Sequence, residues 1–92
     1  MGRPEAAVEK YLLEKSRKQG FLCWKFETPS QDGVPDRILI GNGRVFFVET
    51  KRPGGKTRPL QDAVIRRMQD GGAIVHVIDT REKVDALLAS LS

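Results

Sequence analysis

From Arg3 to Gln19 the chain alternates apolar and polar positions with the period of a helix. Pro4 suits a first helical turn, and Gly20 stands where a C-terminal cap belongs. Val8, Tyr11, Leu12 and the stem of Lys15 recur at i, i+3, i+4 and i+7, which defines one buried stripe and turns Glu9, Glu14 and Arg17 away from it. Glu5 lies on the edge of that stripe, three residues before Val8 and seven before Leu12, so its carboxylate leans toward the rest of the domain. Phe21 to Glu27 reads as a strand, and the polar segment 28–33 as a loop rich in turn formers. Asp36 to Ile40 and Arg44 to Lys51 are two further strands around Gly41-Asn42-Gly43. Asn42-Gly43 signals a tight hairpin, because both central residues of such a turn need positive φ.

After a basic loop from Arg52 to Arg58, Thr57 can cap a second helix that runs to Asp70 and stops at Gly71-Gly72. Ala73 to Asp79 is nearly all apolar and is expected to be a strand buried on both faces, parallel to the strand before the helix. Asp79 or Thr80 begins a last helix, with Val84, Leu87, Leu88 and Leu91 at helical spacing. The expected fold is α/β, a mixed four-stranded sheet flanked by helices in the order αβββαβα, forming one domain over residues 1–92.

Composition narrows the class. With 39% apolar and 30% charged residues the chain has the balance of a folded globule. Its apolar runs fall far short of the roughly 20 residues that cross a bilayer. The first residues lack the apolar run of a signal peptide, and the expected location is the cytoplasm. Cys23 is the only cysteine, which excludes an intrachain disulfide and a multi-cysteine zinc site; set among Phe21, Leu22 and Trp24, it reads as core. Trp24 and Phe26 are likewise expected in the core, and His76, without a partner histidine, in the core or at a sheet edge. A net charge of +4 points toward a polyanion such as nucleic acid.

The hairpin register supplies chemistry. With Asn42 and Gly43 as the loop, Gly41 pairs with Arg44, Ile38 with Phe47 and Asp36 with Glu49; a three-residue loop with a bulge would shift this by one. Two opposed carboxylates lie about 4.5 to 5.5 Å apart at Cβ and destabilise the sheet unless something neutralises them. A divalent cation does so, and two such oxygen ligands suit Mg²⁺ or Mn²⁺. Lys51 shares the strand face of Glu49, where an ammonium can hold a water or offset charge on a phosphate transition state. The combination points to phosphodiester hydrolysis. Arg52, Lys56 and Arg58, around Gly54-Gly55 just after Lys51, suit contacts to a phosphate backbone. Gly55-Lys56-Thr57 matches the end of a P-loop, but Thr50 stands where its first glycine is required, which excludes an NTPase.

Gly33-Val34-Pro35-Asp36, then Glu49-Thr50-Lys51, then Gln61 on the next helix, resemble the VRR-NUC family of the PD-(D/E)XK nuclease superfamily across nearly the whole chain. The resemblance implies a restriction-endonuclease-like core, metal ligation by Asp36, Glu49 and the backbone carbonyl of Thr50, and Lys51 as the catalytic lysine. Gln61 matches the family's glutamine near the active site. The helix-one glutamate maps onto Glu5, with Glu9 as the alternative. Arg37 departs from the apolar residue common among relatives. Family members occur in DNA-repair enzymes and as stand-alone phage or bacterial proteins similar to dimeric Holliday-junction resolvases. The implied activity is therefore a Mg²⁺- or Mn²⁺-dependent DNA endonuclease, selective for branched structure and homodimeric. The alternative is a non-catalytic DNA-binding module that retains the fold.

Overall fold

The computed structural model describes residues 4–91, and side chains over residues 6–91. In chain order the elements are α1 (Pro4–Lys18), β1 (Leu22–Lys25), β2 (Arg37–Gly41), β3 (Arg44–Thr50), α2 (Pro59–Asp70), β4 (Val75–Ile78) and α3 (Arg81–Ser90). The sheet order is β1-β2-β3-β4. The first three strands are antiparallel neighbours, and β4 lies parallel to β3, as a strand–helix–strand connection requires. This is the α/β arrangement and element order read from the sequence.

The hairpin has the expected register, with Gly41 opposite Arg44 and Ile38 opposite Phe47. Asn42 (φ 52°) and Gly43 (φ 73°) both take the left-handed backbone that a two-residue turn of this hand needs. Gly41 is required for another reason. A Cβ there would come within 2.6 Å of the Phe21 ring, which packs edge-on against Phe46 at 5.8 Å between centroids.

One face of the sheet is covered by α1 and α3. Val8 and Leu12 from α1 join Val84, Leu87 and Leu88 from α3 in a single cluster with Cys23, Leu39, Phe46, Val48 and Ile78. Cys23 is core as expected, and desolvation pushes its thiol pKa up. Helix α2 stands on the opposite face beside β4, burying Val64 and Ile65.

Several sequence expectations are corrected. The α1 stripe holds at Val8 and Leu12, with Tyr11 half-buried against the core and donating to Asp85 of α3 at 2.7 Å, but it is wider than expected, since Ser16 is fully covered as well. Glu9 is consequently not turned away; it accepts from Arg37 at 2.8 Å. Trp24 is not core but 54% exposed, because β1 alternates and Cys23 takes the covered side. Nor is β4 buried on both faces. It is an edge strand with Val77 43% exposed, and His76 sits beside the Phe46 ring, where desolvation lowers its pKa. Thr57 does not cap α2: Arg58 is the N-cap and Pro59 occupies the first turn, where its missing N–H costs nothing. Thr80 does cap α3, accepting from the Lys83 N–H at 3.1 Å. Among the described residues no helix is long and apolar enough to cross a membrane.

Candidate active site

Pro35 is buried, and the chain passes from it into Asp36 one residue before β2 begins. The last β2–β3 pair is Arg37 with Val48, so the next step of the same ladder brings Asp36 to Glu49. Both line one open cleft of about 560 Å³, together with Ala6, Glu9, Thr50, Lys51, Arg58 and Gln61. A second cleft shares Glu9 and Asp36 and extends along Lys25, Phe26 and the 27–34 loop.

Each carboxylate has one oxygen held by the protein. Asp36 Oδ2 accepts from the Thr50 N–H at 3.2 Å and the Thr50 hydroxyl at 3.0 Å. Glu49 Oε2 accepts from Gln61 Nε2 at 3.0 Å and lies 3.2 Å from Lys51 Nζ. Glu49 Oε1 is buried with no hydrogen-bond partner among the described residues. Burial raises the Glu49 pKa above the ordinary carboxylate value, the charge of Asp36 raises it further, and the bond and charge of Lys51 oppose both. A buried carboxylate oxygen left without a donor, beside a second negative charge, is an arrangement that a cation completes.

Gln61 organises the rest. Its Oε1 accepts from Lys51 Nζ at 2.9 Å and from the Arg58 backbone N–H at 3.0 Å. Two donors on one atom settle which end of the amide is the oxygen. The same residue closes the first turn of α2 and links Lys51 to Glu49. Among the described residues Lys51 is engaged by two groups, Gln61 Oε1 and Glu49 Oε2, out of the three its N–H groups can serve.

The remaining sequence candidates are placed as follows. The Glu5 side chain lies outside the described residues. Glu9 reaches the cleft, but its Oε2 is engaged by Arg37, with side-chain exposures of 12% for Arg37 and 25% for Glu9. Arg37 therefore packs on the α1 side through an ion pair rather than an apolar contact. Among the described residues, no group of three or more His, Cys, Asp or Glu stands together as a cation site. Asp36 and Glu49 bring two carboxylates to the cleft, a donor set that suits a hard divalent cation able to keep waters or substrate oxygens as its other ligands. Arg52, Lys56 and Arg58 are exposed on the loop beside the cleft, and the Gly54 N–H anchors that loop to Asp79 Oδ2 at 3.1 Å. Sequence reasoning missed the bond of the Thr50 side chain to Asp36 and the Arg37–Glu9 pair, since neither follows from strand register.

No family model matches the chain. It is 39% identical over 79 residues, 85% of each chain, to "Putative nuclease p44" of Acyrthosiphon pisum secondary endosymbiont phage 1. A solved structure described as a VRR_NUC domain superposes with a TM-score of 0.88 at 30% identity, covering 96% of this chain and 97% of that one.

Proposed function

The chain belongs to the VRR-NUC family, and from that premise we propose that it is a nuclease hydrolysing DNA phosphodiesters with Mg²⁺ or Mn²⁺ held by Asp36, Glu49 and the Thr50 carbonyl. The observation that carries the reading is Glu49: buried, with one oxygen unpartnered, next to Asp36 and hydrogen-bonded into the Lys51–Gln61 pair. A cation bound there supplies charge that polarises the phosphate diester and favours ionisation of an attacking water.

The protein's own groups do the rest. Thr50 fixes the Asp36 carboxylate through two hydrogen bonds, so one oxygen stays oriented while the other remains outside that grip. Gln61 holds Lys51 Nζ next to Glu49, and the third N–H of the ammonium meets a water or a non-bridging phosphate oxygen as negative charge builds. Water adds to phosphorus, one P–O ester bond breaks, and the products are a phosphate monoester and a free hydroxyl. Arg52, Lys56 and Arg58 meet the backbone on either side of the scissile phosphate, contacts that orient the strand without reading its sequence. Two copies acting together on the two strands of branched DNA complete the proposal.

Cleavage of labelled four-way, flap, nicked and linear DNA by the purified protein, in Mg²⁺, in Mn²⁺ and in EDTA, tests it. The expected result is cutting that needs the metal, is strongest on branched DNA and is lost in Glu49→Ala and Lys51→Ala. Cutting in EDTA, or full activity of Glu49→Ala, rejects the mechanism. Salt-sensitive binding with no cleavage in any divalent metal identifies a DNA-binding module instead.

A further inference from the structure

Strand alternation sends Leu22 and Trp24 of β1, Ile38 and Ile40 of β2, and Val45 and Phe47 of β3 to the face opposite the α1–α3 core. They form two continuous cross-strand rows: Leu22, Ile40 and Val45 in one, Trp24, Ile38 and Phe47 in the other. All six are apolar. An antiparallel sheet with one face in water normally alternates apolar-in and polar-out, and here the outward face breaks that pattern. Helix α2 stands at the other end of the same face, beside β4, and leaves these rows only partly covered: Leu22 is 48% exposed, Trp24 54% and Val45 54%, Ile38 and Ile40 are half-buried, and Phe47 is half-buried under Phe26, 5.0 Å away between ring centroids.

We propose that this bare face of β1, β2 and β3 is the surface through which two copies of the chain pack, sheet against sheet. The inference rests on the two-copy reading above and adds where the copies meet. Its occupant follows from charge and area. No Lys or Arg stands among the six side chains, so a nucleic acid finds no phosphate partner there. A chain of net charge +4 meets its own copy at least electrostatic cost through a patch free of like charge, and this face is one. The three half-exposed side chains with the three partly covered ones offer roughly 400 Å² of apolar surface, at the 150–250 Å² typical of a large aromatic and less for the aliphatics. A standard interface takes about 800 Å² from each partner, about 56–65% of it apolar, or roughly 450–520 Å². The face supplies most of that, and a two-fold axis needs only one such patch because it meets itself.

The placement also sets where the sites fall. Glu49 lies on the same side of β3 as Val45 and Phe47, about 13 Å along the strand from Val45 at about 3.3 Å per residue. It therefore borders the patch. Two copies packed through the patch carry one active cleft at each end of the shared face.

Trp24 is the sole tryptophan and lies within the patch, so its fluorescence reads the contact directly. The full chain is followed by light scattering and by Trp24 emission and acrylamide quenching from low to high micromolar concentration, beside Val45→Glu and the milder Leu22→Gln. Expected for the wild type are a mass of twice 10.3 kDa and a blue-shifted, quench-protected Trp24 as concentration rises. Val45→Glu is expected to weaken association at least about tenfold. In that variant Trp24 stays accessible, while Mn²⁺ binding, and thermal unfolding at a concentration low enough that the wild type is also monomeric, are unchanged. A dimeric Val45→Glu and Leu22→Gln beside a dimeric wild type overturns this surface and leaves the two-copy reading standing. A wild type that remains monomeric at every concentration, with and without four-way DNA, overturns both, and metal-dependent cutting of linear DNA then still tests the chemistry separately.

Discussion

Replacing Glu49 by Gln isolates the tension at the centre of the site. In the metal-free protein the Glu49 side chain is 3% exposed, with Oε1 lacking a donor among the described residues and Asp36 as a negatively charged neighbour. An unsatisfied buried polar group costs about 1–3 kcal/mol and more when it is charged, and the amide removes the charge while leaving a polar atom in place. Against this stands the ion pair to Lys51 at 3.2 Å, and breaking a buried pair can cost about 3–5 kcal/mol when it strands the other charge. Lys51 is not stranded, because Gln61 Oε1 still accepts from it at 2.9 Å and Asp36 still supplies negative charge to the cleft. The raised Glu49 pKa gives the sign of the balance: desolvation and Asp36 outweigh Lys51, so the surroundings favour a neutral side chain. Glu49→Gln is therefore expected to stabilise the protein in EDTA by about 1 kcal/mol, a rise in Tm of about 4–8 °C for a domain of this size. With Mg²⁺ or Mn²⁺ at about 100 times Kd the wild type gains about 2.7 kcal/mol by mass action, and the variant gains far less, so their order reverses. Calorimetric melts in EDTA and across a metal titration measure both halves. A variant less stable than the wild type in EDTA, or one that gains the same increment from metal, would falsify the reasoning.

Gln61→Leu removes three hydrogen bonds, to Lys51, Glu49 and the Arg58 N–H, and is expected to cost about 2 kcal/mol at a net of about 1 each or less, read as a lower urea midpoint, with kcat reduced more than KM. Gly41→Ala forces a methyl against the Phe21 ring, 2.6 Å from Cδ1, and is expected to destabilise by about 1–3 kcal/mol in the same urea assay; an unchanged midpoint would show that Phe21 can move. Desolvation lowers the folded-state pKa of His76 below 6.5, so on acidification the unfolded chain takes up the proton first. The corresponding stability is present above pH 6.5 and is lost as pH falls through 6.5 toward the folded value. In His76→Gln that component of the urea-midpoint profile between pH 8 and pH 5 is expected to flatten.

The hairpin was legible because its turn is a local code: Asn42-Gly43 dictates two positive φ angles, the turn dictates the register, and the register brings Asp36 to Glu49. Gln61 was legible only through resemblance, since a first-turn glutamine has no pattern of its own. Trp24 and the outward side of β4 were misread for a shared reason: apolar character in the sequence does not say whether a second layer exists to cover it. Glu9 was misread because a helical stripe is defined only to within a residue or so, and the covered side of α1 extends beyond the stripe to Ser16 and to a half-buried Glu9. The cap of α2 moved from Thr57 to Arg58 because Pro59 takes the first helical position and Gln61 reaches back to the Arg58 N–H, an arrangement in which no side-chain cap is needed.

That reach of Gln61 ties the order of the proposed catalytic groups to the integrity of one helical turn. Fraying at the start of α2 withdraws one amide and thereby frees a lysine and a glutamate at once, so local opening disarms the cleft while the sheet is still intact.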